Sequence, residues 1–152
     1  MVIDYSIFDV MIIVLNLLIA TVFGVLIGYF RKDKIHGAGS RTFALISLGA
    51  CLFASISLFG FLNLQNADIS RIAAGVVTGI GFIGAGVIWK HRELHGVTTA
   101  AAIWVASAVG LGVGLRMYIP ALVVTLITML ILKSGRDADN REKLLLKKKK
   151  KR

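Results

Sequence analysis

Five runs of apolar residues, separated by short polar or basic stretches, organise this chain; they lie near residues 7–30, 42–62, 71–89, 97–115 and 117–133. A hydrocarbon core about 30 Å thick takes roughly 17–25 helical residues, so each run predicts a transmembrane helix or nearly one. Only Arg116 and Met117 separate the last two runs ahead of Tyr118 and Pro120. That spacing predicts a tight antiparallel hairpin, with Pro120 in the first turn of the fifth helix, where proline is tolerated. The first run follows MVIDYSIFDV, which lacks a basic n-region, and no small-residue cleavage site closes it. It is therefore expected to be a retained helix and not a signal peptide. The expected fold is all-α: a polytopic membrane bundle of about five transmembrane helices over residues 1–133, then a basic cytoplasmic tail over 134–152.

Small residues crowd the third and fourth runs. Gly75, Gly79, Gly81, Gly84 and Gly86 fall within twelve positions, and each costs roughly 1 kcal/mol relative to Ala in a soluble helix. In lipid the same residues let helix backbones approach closely, so these five are expected to be packing positions and to favour a homodimer or other homo-oligomer. Gly79, Gly81 and Gly84 also spell G-x-G-x-x-G, but mid-span, with no strand before it and no acidic residue about twenty positions on, so a dinucleotide site is not expected.

Composition places the chain in the membrane class: 57% of its residues are hydrophobic and its mean hydropathy is +0.80, against about 45–50% apolar residues in soluble domains. The net charge of +10 is not read as nucleic-acid binding, because the basic residues sit between the apolar runs and in the terminal KKKKKR. Sixteen of the eighteen Lys and Arg residues follow the first, third and fifth runs, and only Arg71 and Arg116 lie on the other side. The positive-inside rule then puts the N-terminus outside and the C-terminus in the cytoplasm. Lys147, Lys148, Lys149, Lys150, Lys151 and Arg152 are expected to bind anionic lipid headgroups. Cys51, alone in an apolar run, is expected to be a small buried side chain.

Chemistry is sparse. The five runs hold Asp9 near one end and essentially no other carboxylate, which leaves few parts for a proton relay or a carboxylate metal cage. No catalytic set is expected, and no Walker A sequence is present. Asp68 and Arg71 flank the start of the third run at i and i+3; they are either a helix-end charge pair or a cation or partner site, with Asp68 the one candidate metal residue. Thr78, Thr98 and Thr99 accompany the glycines, where hydroxyls and exposed carbonyls could replace part of a hydration shell. His91, Glu93 and His95 share a basic loop and make only weak metal spacing. Asn16, Thr21, Ser47, Ser55, Ser57 and Ser107 are expected to hydrogen-bond between helices.

The stretch RIAAGVVTGIGFIGAGVIWKHRELHGVTTAAAIWVASAVGLGVG, with LIGYFRK and GAGSRTFALISLGACLF upstream, closely resembles the membrane domain of the MgtC/SapB family from about Gly24 to Tyr118. The resemblance implies an inner-membrane protein of magnesium homeostasis that transports Mg2+ or assists its transport. It also implies an alternative, a regulatory protein that acts on another membrane complex such as the F-type ATP synthase membrane sector. No resident cofactor is implied; Mg2+ enters as a ligand or a transported ion. By position the resemblance singles out Arg41 and Thr42, Asp68 and Arg71, the Gly79, Gly81, Gly84 and Gly86 set, and Thr98 and Thr99. Where the family commonly has Gly-x-Glu-Arg, this chain has Gly28, Tyr29, Phe30 and Arg31, so the acidic residue is missing. Many members carry a soluble C-terminal domain, and regulation through one is not expected of this chain.

Overall fold

The computed structural model of the chain describes residues 6–31, 38–60, 68–90 and 94–149. The elements are α1 (Ile7–Phe30), α2 (Ser40–Phe59), α3 (Ser70–Gly86), a ribbon of β1 (Trp89–Lys90) and β2 (Leu94–His95), α4 (Val97–Gly114) and α5 (Tyr118–Lys149). The ribbon is antiparallel and pairs Trp89 with His95 and Lys90 with Leu94. α1, α2, α4 and the first part of α5 are long and apolar enough to cross a membrane, and the chain is a multi-pass, all-α membrane bundle. α3 has 17 residues, about 26 Å at 1.5 Å per residue. It stops at Gly86 instead of running to residue 89, and Trp89 and Lys90 enter the ribbon. α5 continues without a break through residue 133 to Lys149.

Successive helices alternate in direction, so α1 and α3 end where α2 and α4 begin; this is called the Arg31 end, and the opposite one the Asp68 end. α4 is central and touches all four other helices, whereas α3 packs on α4 and α2 alone among the closer contacts. The position of α4 follows from its composition. Ala102, Ala106, Gly110 and Gly114 repeat every four residues along one buried stripe with Ile103, Val109 and Val113 buried beside it, while Thr98, Ala101, Trp104 and Ala108 line an exposed face. A helix with small residues along one face lets its neighbours approach closely and so sits among them. α1 and α5 instead turn large apolar side chains outward, with Ile7, Ile119 and Leu130 well exposed, as expected where lipid is the solvent.

Helices in lipid gain little from burying apolar area and are held by close packing. Four glycines provide it. A Cβ on Gly24 would lie 2.5 Å from the Phe43 carbonyl oxygen, and one on Gly28 2.6 Å from the Ser40 Cα, so α1 rests directly on the α2 backbone. Gly110 meets the Ser47 backbone, and a Cβ on Gly114 would lie 2.6 Å from both the Ala54 Cβ and the Cys51 carbonyl oxygen. Both pairs have four-residue spacing, and they clamp α2 between α1 and α4. Cys51 is a free, buried thiol in this seam, as its surroundings in the sequence imply.

The α4–α5 hairpin turns on Arg116, a non-glycine residue in the left-handed region with φ of 63°. The Met117 amide donates to the Gly112 carbonyl at 2.8 Å and the Arg116 amide to the Val113 carbonyl at 2.9 Å, the paired bonds of a Schellman stop. The Arg116 guanidinium sits 4.9 Å from the Phe59 ring centroid, a cation–π contact that ties this turn to the end of α2.

Candidate functional site

The candidate polar residues form two groups at opposite ends of α3. At the Arg31 end, α4 starts from Gly96, whose φ of 87° is open to glycine and strained for other residues. A Cβ there would also strike the Val87 carbonyl. The first turn of α4 carries no acidic residue and no side-chain cap, so the positive end of its dipole is uncompensated from within the helix. Thr99 is buried in that turn, 2% exposed, and its hydroxyl accepts a hydrogen bond from the Arg31 guanidinium. Thr98, its neighbour, is exposed. The Arg31–Thr99 contact links the end of α1 to the start of the central helix.

At the Asp68 end the carboxylate is fully exposed. Its Oδ1 accepts from the Ser70 amide at 2.9 Å and from the Ser70 hydroxyl at 2.6 Å. These bonds, first the hydroxyl and then the amide, with the Arg71 charge adding to them, hold its pKa below the ordinary 3.8. Asp68 therefore caps the entry to α3, and no Asp68–Arg71 ion pair occurs among the described residues. The adjacent Ser57 hydroxyl donates to the Ile69 carbonyl, fastening the end of α2 to the same entry.

The five residues expected to form one ion or partner site are therefore not brought together. Asp68 and Arg71 stand one α3 length, about 26 Å, from Thr98 and Thr99. Thr78 lies between them on an exposed face and donates to its own Ala74 carbonyl at 3.0 Å. The physical reason is the antiparallel α3–α4 hairpin, which places the start of one helix opposite the end of the other. Among the described residues no group of three or more His, Cys, Asp or Glu could hold a metal. His91 and Glu93 lie outside the described residues, as do Lys150, Lys151 and Arg152; Lys147 to Lys149 fall in α5, whose side chains are described through Gly135.

The expected packing glycines also differ from the observed ones. Within one chain a Cβ on Gly75, Gly79, Gly81 or Gly86 would meet nothing within 4 Å, and one on Gly84 would make ordinary contact with the Ala100 Cβ at 3.7 Å. α3 buries only Ile80 and Gly84; Gly75 and Gly79 border open space beside α2, Gly81 and Gly86 are exposed, and the tight seams belong to α1 and α4. Of the polar residues inside the spans, Asn16 does bridge helices: its Oδ1 accepts from the Tyr118 hydroxyl at 2.8 Å. Thr21 and Ser55 bond back to carbonyls four residues earlier, the local alternative open to any helical hydroxyl. The Arg31 role has no local signal, since a basic residue just past an apolar run reads as a topology charge.

A sequence model of the MgtC family matches residues 17–141. The chain belongs to the MgtC family. It is 40% identical to YhiD of Escherichia coli strain K12 over 125 residues, covering 78% of this chain and 58% of that protein. It is 38% identical to MgtC of Salmonella typhimurium strain LT2 over 117 residues, 76% of this chain and 49% of that protein. SrpB of Synechococcus elongatus is 34% identical over 133 residues, 77% of this chain and 71% of that protein. The chain thus spans about half the length of YhiD and MgtC, and the shared part is the helical bundle. No solved structure matches the chain.

Proposed function

We propose that this protein is a non-enzymatic accessory of magnesium homeostasis in the cytoplasmic membrane, with its N-terminus outside and its C-terminus in the cytoplasm. YhiD bears a name that provisionally assigns it to magnesium transport, which supports the connection with the metal. The observation that carries the accessory role is the start of α4. The Arg31 guanidinium lies against Thr99 beside the positive end of the α4 dipole, and Asp9 is the one carboxylate in the sequence of the apolar runs. A divalent cation moving along α4 would meet the Arg31 guanidinium, and within the apolar runs no carboxylate other than Asp9 could replace its water. Purified protein in sealed vesicles should give no Mg2+ flux above empty vesicles, while its deletion slows growth at low Mg2+; flux from the protein alone would replace the accessory role with transport.

The outward face of α3 favours a second reading. Ala74, Thr78, Gly81 and Ala85 form an exposed small-residue stripe, the kind of surface that another membrane helix can approach. A second copy of this chain, or a complex such as the F-type ATP synthase membrane sector, would dock there, making the protein a regulator. Cross-linking from Gly81→Cys in native membranes distinguishes the partners by the mass of the product.

A further inference from the structure

We infer that the cleft between α2 and α3 holds the acyl chain of an anionic phospholipid, with its headgroup on Arg41. α2 and α3 meet at the Asp68 end, where Ser57 is bonded to Ile69 and where Ala73 and Val76 pack against Ala50 and Ala54. Beside these contacts they leave a cavity of about 690 Å³ that runs from Ile72 near the Asp68 end to Ile83 near the Arg31 end, with Ser107 of α4 in its lining. One wall carries Thr42, Leu45 and Phe53 and the other Ile72, Gly79 and Ile83. This volume lies within the roughly 300–1,000 Å³ usual for small-molecule sites, and the lining is overwhelmingly apolar.

The length of the cleft suits an extended hydrocarbon chain. The lining residues span Thr42 to Phe53 on α2 and Ile72 to Ile83 on α3, about 17 Å of helix on each wall at 1.5 Å per residue. Leu45, Phe53, Ile72 and Ile83 along it offer an extended hydrocarbon chain an apolar surface. The open space at Gly75 and Gly79, where a Cβ would meet nothing within 4 Å, is part of the same cleft.

Charge complementarity identifies the headgroup. Arg41 lies one turn before Leu45 on the cleft edge, exposed, in the first turn of α2. That turn starts at Gly39 with no side-chain cap and no acidic residue, so free amides and the positive dipole end lie beside the guanidinium. A phosphate at the membrane surface is attracted by both, and basic pockets at helix ends take up anionic headgroups in this way. The chain in the cleft supplies what a surface charge cannot, a fixed place along the bundle.

The test uses the full chain, purified in detergent and stripped of lipid, with bound lipid counted by native mass spectrometry. Dioleoyl phosphatidylglycerol should be retained in preference to dioleoyl phosphatidylcholine. Arg41→Gln should reduce that preference by about fivefold, the effect of one basic residue near an anionic surface. Gly79→Leu, which fills the cleft from a position with room for a side chain, should lose both lipids while its melting temperature stays unchanged; Gly75→Leu provides the same test if Gly79→Leu does not fold. Glycerol 3-phosphate at matched concentration should not displace phosphatidylglycerol, because it lacks the chain. Equal retention of the two lipids, undiminished retention by a folded Gly79→Leu protein, or full displacement by glycerol 3-phosphate would overturn the proposal. A disulfide between copies formed by Gly79→Cys in membranes would overturn it too, by making the cleft a protein interface.

Discussion

Thr98 and Thr99 are adjacent in the chain and about 100° apart on α4, and that angle separates an exposed hydroxyl from one buried under Arg31. Replacing Thr99 with Val keeps the shape and removes the acceptor from a guanidinium, an interaction worth about 1–2 kcal/mol. Thr99→Val should therefore lower the melting temperature in detergent, while Thr98→Val should leave it unchanged; equal effects would show that the Arg31 contact contributes nothing. Asp68 is a different kind of residue, exposed and occupied in capping α3. Asn also caps well, so Asp68→Asn should preserve the start of α3 and growth at low Mg2+, while Asp68→Ala should loosen that start, seen as faster amide exchange around residues 69–71. Because its folded pKa is depressed below 3.8, the carboxylate stabilises the fold fully above that value. The contribution fades as pH falls through the lowered folded pKa, so Asp68→Asn should remove the acid-dependent part of the exchange. Loss of low-Mg2+ growth in a well-folded Asp68→Asn protein would instead assign Asp68 to the ion.

At the level of elements, glycine has two uses that composition does not separate. Gly110 and Gly114 touch the α2 backbone, whereas Gly79 faces a cleft. Overpacking a tight seam typically costs about 1–3 kcal/mol and more where backbone must move. Gly110→Leu should prevent recovery of a folded protein, and Gly79→Leu should express and melt as the parent does; the opposite ranking in a detergent melting series would contradict the observed helix arrangement. The sequence pattern singled out α3 because its glycines are dense. Yet density did not identify the seam: the glycine pairs in α1 and α4 pack because α2 lies against them.

Among the described residues the chain alternates direction through five helices, which places the start of α1 and the end of α5 on opposite faces of the bundle. With sixteen of eighteen basic residues following the first, third and fifth apolar runs, the C-terminus is expected inside. A phosphatase fusion after Arg152 should be inactive in the periplasm and a cytoplasmic fluorescent reporter at the same position active; the reverse would invert the topology. The number of helices and most of their bounds were legible in the sequence, because apolar run length and basic flanks are local quantities. α3 ended a few residues early and α5 ran on past residue 133, since helix ends depend on local backbone geometry more than on hydropathy.

Membership of the membrane class, five helices, their alternation and the buried Cys51 all follow from the sequence alone, because the bilayer demands long apolar helices whatever their neighbours are. Tertiary structure alone decided the partners. Arg31 reaches Thr99 across 68 positions and Tyr118 reaches Asn16 across 102, separations over which no periodicity carries information. It also separated Asp68 from Thr98 and Thr99, and it turned Gly79 toward an open cleft while pressing Gly110 onto α2. Lipid is as apolar as the side chains between helices, so hydrophobicity assigns residues to the membrane without assigning them to one another; only the fit of backbones and a few hydrogen bonds does that.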